Sequence, residues 1–239
     1  MGRLYLVPTP IGNLKDISLR AIDVLNMVDL ILVEDTRVTL KLLNHYDISK
    51  PLKKFSKDNE HKVIEYWVGE INSGKNLALL TDAGTPGISD PGFLMVRACI
   101  DAQIELECLT GPVAFVPALV ASGLPCERFC FEGFLPHKKG RQKKLVALTE
   151  EPRTIVFYES PNRIKKLIHE LNTYFGGDRK ACISREISKK FEEHLRGSLL
   201  DLSQYLENNI LKGEIVVSVE GKTEIKKVKK NKYRPDNEY

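Results

Sequence analysis

Three stretches of this chain concentrate side chains able to do chemistry, and each follows an apolar, strand-like run. In "LLTDAGTPGISDPG" (79–92) the run ends at Thr81. It gives way to two aspartates (Asp82, Asp90), three glycines (Gly84, Gly87, Gly92) and two prolines (Pro86, Pro91). Glycine lets a ligand approach the backbone closely. Proline fixes φ and lowers the entropy lost on ordering. The loop therefore reads as a rigid concave surface with a carboxylate towards each end. It matches neither G-x-x-x-x-G-K-[ST] nor G-x-G-x-x-G, so no lysine is placed to reach a polyphosphate. A ligand with hydroxyls or a positive charge suits it better. The plainer alternative is a crossover loop whose aspartates cap helices, with Asp90 as N-cap and Pro91 in the first turn.

The second stretch, "VEDTR" (33–37), brings Glu34, Asp35 and Arg37 together at a strand end. Its plain alternative is a surface ion pair of little energetic value. The third, "VPTPIGN" (7–13), has the composition of an ordinary turn.

The elements that must position these loops alternate. Strands are expected at "RLYLVPT", "DLILVED", "PLKKFS", "NLALLTD" and "IELECLTG". Between them lie helices at "SLRAIDVLNMV" (capped by Ser18), "VTLKLLNHY", "NEHKVIEYWVGEINSG" (ending at Gly74) and "PGFLMVRACIDAQ". Strand–helix alternation predicts an α/β fold with a mainly parallel, helix-covered sheet, and ligand sites in such sheets lie at the carboxyl ends of the strands. The small-residue helix "GPVAFVPALVASGLP" (111–125) marks a boundary. Beyond it come "RFCFEGFLP", "TIVFYES", "KACISREIS", "FEEHLRGS" and "GEIVVSVEG" as strands, with helices at "NRIKKLIHELNTYFG" and "LLDLSQYLENN". Adjacent strands there predict a mixed sheet. The expected organisation is an N-terminal α/β domain (1–113), a C-terminal α/β domain (114–221) and a basic tail (222–239). The tail lacks apolar periodicity and is expected to be disordered.

The composition is that of an ordinary globular protein: 239 residues, 42% hydrophobic and 28% charged. No apolar run approaches the ~18–20 residues of a membrane span, and no signal-peptide pattern opens the chain. The formal net charge of +4 sits in the tail, which holds seven Lys/Arg and three Asp/Glu, so residues 1–221 are neutral overall. Binding to a polyanion must then rest on local clusters. Five scattered cysteines, including the lone C-x₃-C of Cys126 and Cys130, predict reduced thiols and no metal site.

One resemblance covers roughly 3–221. "LYLVPTPIGNLKDIS", "VEDTR", "LLTDAGTPGISDPG", the GP-x-A of 111–114, "FEGFLP", "VFYESPNRI" and "REISKKFEE…RG" occur in that order. The set resembles the ribosomal RNA small subunit methyltransferase I family, within the tetrapyrrole methylase superfamily. The resemblance implies two α/β domains with S-adenosylmethionine (SAM) in the cleft between them. It implies 2′-O-methylation of a cytidine ribose in small-subunit (16S) ribosomal RNA, a homodimer, the bacterial cytoplasm, and no metal. Val113 departs from the family's small pair after Gly-Pro, and a short basic tail stands where many members carry a helical extension. Any substrate contacts of that extension are expected to be absent or to fall to Lys226–Arg234. Two alternatives are a methylase of the same superfamily acting on a tetrapyrrole or a protein, and a non-catalytic RNA-binding assembly factor.

By this resemblance the cofactor residues are Asp82, Gly84, Ile88, Ser89, Pro112, Ala114 and Phe157, with Pro10, Asp90 and Glu214 as further contacts. Amides of 84–88 are expected to hold the cofactor's carboxylate or adenine edge. A ribose hydroxyl is a weak acid and gains from a nearby base; Glu34, Asp35 and Glu159 are the candidates, with pairing to Arg37 or Arg163 as the alternative role. For RNA phosphates, "HKKGRQKK" supplies Lys138, Lys139, Arg141, Lys143 and Lys144, joined by Arg37 and Arg163. Phe131 and Phe134 lie beside that segment and offer faces for a splayed base.

Overall fold

The computed structural model describes residues 2–222. The predicted disorder of the tail falls on residues that, after Lys222, lie outside those described.

The first sheet is built from β1 (Arg3–Leu6), β2 (Leu30–Val33), β3 (Leu52–Lys54), β4 (Leu77–Leu79) and β5 (Glu105–Cys108), in the order β3-β2-β4-β1-β5. Every pairing is parallel. The inner strands β1, β2 and β4 are short and largely buried on both faces, as such a sheet requires, while the edge strands β3 and β5 carry Lys53, Lys54, Glu105 and Glu107. Helices α1 (Leu19–Met27) and α2 (Thr36–His45) cover one face, where Ala21, Leu25, Leu42 and Leu43 pack on Tyr5, Ile31 and Ala78. Helices α3 (Glu60–Asn72) and α4 (Phe93–Asp101) cover the other, with Trp67, Ile71, Met95 and Cys99 on Leu4, Leu32 and Leu79. Ser18 caps α1 as expected, its side chain accepting from the Ala21 amide.

The N-terminus of α4 differs from expectation. The cap is Gly92, and neither Asp90 nor Pro91 belongs to the helix. The Pro91 carbonyl instead accepts from the Gly87 amide over 3.1 Å, which folds the end of the loop back on itself before the helix starts.

The second sheet is mixed, as expected. It comprises β6 (Phe129–Phe134), β7 (Thr154–Glu159), β8 (Lys180–Arg185), β9 (Glu193–Ser198) and β10 (Ile215–Val219), in the order β6-β7-β10-β8-β9. Only β6–β7 is parallel. One face is held by α5 (Phe115–Ser122), whose Ala118 and Leu119 pack on Val156 and Val216. On the other face, helices α6 (Arg141–Leu148), α7 (Ile164–Phe175) and α8 (Leu199–Asn208) bury Leu145, Leu167, Leu171 and Leu202. Helix α6 grows from the basic segment, whose plain reading is a solvated helix face.

Candidate functional site

The loops after β1, β2, β4 and β5 are tied to one another by hydrogen bonds. Thr9 and Gly84 exchange reciprocal main-chain bonds of 2.9 and 3.0 Å. The Thr9 hydroxyl donates to the Thr81 carbonyl (3.1 Å), and the Thr85 hydroxyl to the Pro112 carbonyl (2.9 Å). The Asp35 amide donates to Asp82 Oδ1 over 3.1 Å. At Gly111 the backbone passes so near Pro8 that a Cβ there would lie 2.5 Å from the proline Cβ. Pairing of distant strands thus merges four loops into one floor.

That floor faces the second sheet across a cleft of about 360 Å³. The first unit contributes Ile11, Gly84, Ile88, Ser89 and Asp90, the connecting segment Val113 and Ala114, and the second unit Phe134, Tyr158, Glu159, Ile187 and Glu214. Of the expected cofactor residues, Gly84, Ile88, Ser89, Asp90, Ala114 and Glu214 line this cleft. The volume and mainly apolar walls fit a SAM-sized molecule. Two carboxylates (Asp90, Glu214) suit its ammonium and ribose hydroxyls, and Glu159 borders them with one buried oxygen that has no hydrogen-bond partner.

Five expectations are corrected by position. Asp82 and Pro10 line a separate smaller hollow with Leu14, Val38 and Lys41, so Asp82 works as a tie between loops. Pro112 stands behind the wall, where its carbonyl is taken by Thr85. Phe157 is fully buried on the far face of β7, because strand side chains alternate; its neighbour Tyr158 faces the cleft. The amides of Gly84, Gly87 and Ile88 already donate to Thr9, Pro91 and Thr85, so they are not free for a ligand carboxylate. Tyr158, Ile11 and Ile187 also line the cleft, and the sequence reading does not single them out. The period-two alternation of "TIVFYE" is the available signal for Tyr158.

The three candidate bases separate clearly. Asp35 caps α2 and pairs with Arg37 at 2.6 Å; the Arg37 hydrogen bonds hold its carboxyl down at about 2. Glu159 is 3% exposed. Its Oε1 accepts from the Ser160 amide and lies 2.7 Å from Arg163 Nε, so it takes the paired role. Glu34 is half-buried. Burial, then the Asp90 and Asp82 carboxylates, push its carboxyl above the usual range. Burial also raises Asp90 and Asp82.

The basic segment divides as well. Lys138, Lys139 and Lys143 are exposed. Lys144 is also exposed but pairs with Glu132 at 2.6 Å. Arg141 is only 5% exposed, so it is no surface phosphate ligand. Its Nε donates to Glu170 (2.8 Å), its Nη1 to the Pro136 carbonyl (3.1 Å), and its Nη2 faces Glu159 at 3.9 Å. Arg163 is engaged by Glu159 and Ser160, and Arg37 by Asp35. All five cysteines are free, and no cluster of metal-ligating side chains occurs among the described residues.

Residues 3–203 match the family model of tetrapyrrole (corrin/porphyrin) methylases. The chain belongs to this family. Its fold is that of solved methylases. Uroporphyrin-III C-methyltransferase from Thermus thermophilus, complexed with S-adenosyl homocysteine, superposes with a TM-score of 0.63 at 18% identity, covering 91% of this chain and 97% of that one. Diphthine synthase does so at 0.70 and 12% identity, covering 92% and 90%. Closer in sequence are proteins named ribosomal RNA small subunit methyltransferase I. That of Xylella fastidiosa is 47% identical, over 92% of this chain and 82% of its own. That of Thermotoga maritima is 44% identical, over 93% of this chain and its full length. A relative of that name therefore exists with no C-terminal extension beyond the matched region. Among the described residues, no helix of this methylase is long and apolar enough to cross a membrane.

Proposed function

We propose that this chain is a SAM-dependent methyltransferase that 2′-O-methylates the ribose of a cytidine in small-subunit ribosomal RNA, acting in the cytoplasm as a homodimer. The observation that carries the reading is the cleft itself. Loops at the carboxyl ends of a parallel sheet are clamped together and closed by the second sheet, in a chain 44–47% identical to relatives bearing the rRNA methyltransferase name. The two sheets support a division into domains at 1–113 and 114–221, since β1–β5 lie before the boundary and α5 packs on the second sheet.

Ile88, Ala114, Tyr158 and Val216 would enclose the apolar part of SAM, and Asp90 and Glu214 would accept from its ammonium or ribose hydroxyls. When bound, SAM supplies a methyl group on a sulfonium centre. The cleft's task is alignment of the accepting hydroxyl with that methyl, worth up to roughly 7–11 kcal/mol of barrier. Of the three candidate bases, Glu34 is the one we assign to take the hydroxyl proton. It is not itself among the residues lining the cleft but stands beside Asp90, which is. It has no arginine partner among the described ion pairs, and burial raises its carboxyl, in the direction a base for a weak acid needs. Lys138, Lys139 and Lys143 would contact phosphates.

The test is mass spectrometry of small-subunit rRNA nucleosides from cells with and without this protein, together with calorimetry of SAM binding. The reading requires one ribose 2′-O-methyl group to vanish without the protein. A protein that binds no SAM would be the assembly factor instead.

A further inference from the structure

The last residue of β6 sits on the wrong face for an unbroken strand. In "FCFEGF" strict alternation would put Phe129, Phe131 and Gly133 on one side and Phe134 on the other. The observed register pairs Phe131 with Val156, then Gly133 with Phe157 and Phe134 with Tyr158, so Glu132 is an extra, unpaired residue. This is a β-bulge, a device that re-aims side chains next to active sites. Gly133 takes it at φ +59°, and a Cβ there would come 3.0 Å from the Ser89 hydroxyl, so the bulge abuts the loop of the first sheet.

The consequence is that Phe131 and Phe134 share a face. Both pack edge-on against Tyr158, at centroid distances of 5.0 and 5.6 Å. Phe131 is anchored by stacking on Phe115 at 4.5 Å. Phe134 is left 53% exposed. Its ring is a wall shared by the cleft and an adjoining notch lined by Lys57, Ser89, Phe131, Glu132 and Gly133. Lys57 is held at that notch by donating to the Ser89 carbonyl over 2.6 Å.

We propose that this notch is a nucleobase subsite: the base of the methylated nucleotide, splayed out of the RNA, stacks on Phe134 while its ribose reaches over the ring into the cleft. The inference rests on the RNA-methyltransferase reading and adds the residue that seats the base. Three features favour a base over other ligands. The platform is a half-exposed aromatic ring, which suits any nucleobase face. Its backing is rigid, with Phe131, Tyr158 and Phe115 packed behind it. A lysine borders the notch, where the flanking phosphates of a splayed nucleotide need a cation.

The test uses the full chain with Phe134→Ala, Phe134→Leu and Phe134→Trp. The readouts are methyl transfer to small ribosomal subunits from cells lacking the protein, SAM affinity by calorimetry, and binding of a single-stranded RNA oligonucleotide carrying pyrrolocytidine, followed by fluorescence quenching. Phe134→Ala and Phe134→Leu should raise KM for the subunit and Kd for the oligonucleotide roughly 5- to 100-fold. Phe134→Trp should restore both, and SAM affinity, to which Phe134 contributes only one wall of the cleft, should fall much less than RNA affinity. Leu keeps apolar bulk, so its failure to rescue isolates the aromatic face. Unchanged KM and Kd in Phe134→Ala, or a loss of SAM affinity as large as the loss for RNA, overturns the subsite. A wild-type protein that quenches the oligonucleotide through Phe134 but transfers no methyl group would leave the subsite standing and remove the proposed reaction.

Discussion

The Asp35 amide donates to the Asp82 carboxylate over 3.1 Å, and this bond joins the loop after β2 to the loop after β4. It also brings the Glu34 carboxyl beside those of Asp82 and Asp90, whose charges help to raise it.

Asp82→Ala removes the tie and leaves a half-buried amide without its acceptor. A stability loss of about 1–3 kcal/mol is expected, with SAM affinity reduced only through loosening of the floor. Urea unfolding and calorimetry on one preparation check this. A collapse of SAM affinity with unchanged stability would make Asp82 a direct ligand.

Gly84→Val acts on the floor itself. Gly84 has φ +89° and exchanges both main-chain bonds with Thr9. A β-branched residue is strained there by on the order of 1–3 kcal/mol. The added side chain would start 3.6 Å from Ile11 Cγ2 at the edge of the cleft. SAM affinity should fall at least about tenfold. Calorimetry finding wild-type affinity in a folded variant would contradict the cradle.

Arg141 and its neighbouring lysines should behave oppositely. Arg141→Ala takes from Glu170 its hydrogen-bonded partner, while Glu159 keeps Arg163, and should cost about 1.5–3 kcal/mol of stability. The triple variant K138A/K139A/K143A should melt like the wild type, yet bind RNA more weakly. Its salt slope of binding should flatten by roughly one unit for each phosphate that the lysines no longer neutralise. Thermal melts and RNA titrations at several salt concentrations separate the two effects.

Glu34→Gln tests the assigned base. The rate constant for methyl transfer should drop about 10²- to 10⁴-fold while SAM affinity is retained. The base acts when ionised and its carboxyl is raised. The acid limb of the wild-type kcat/KM profile should therefore lie above the ordinary glutamate range and be absent from the variant's residual rate. A profile that keeps this limb in Glu34→Gln would assign it to another carboxyl, with Asp90 next in line.

The sequence by itself determined the strand–helix alternation, the mixed character of the second sheet and the loops that form the cleft floor. All of these are written in local periodicity and in the Gly/Pro punctuation after each apolar run. Only the tertiary structure decided what each polar or aromatic side chain does there. Arg141 looks like its basic neighbours until Glu159 and Glu170, from β7 and α7, are brought against it. Asp82 and Asp90 belong to one loop, yet one ties loops together and the other faces the cleft. The amides of Gly84, Gly87 and Ile88 look free until Thr9, Pro91 and Thr85 claim them. Phe134 is turned into the cleft by a bulge visible only in the register of β6 against β7. The physical reason is common to all four. Charge, hydrogen-bonding capacity and side-chain direction are set by partners from other parts of the chain, and residue type alone does not specify whether those partners have been met.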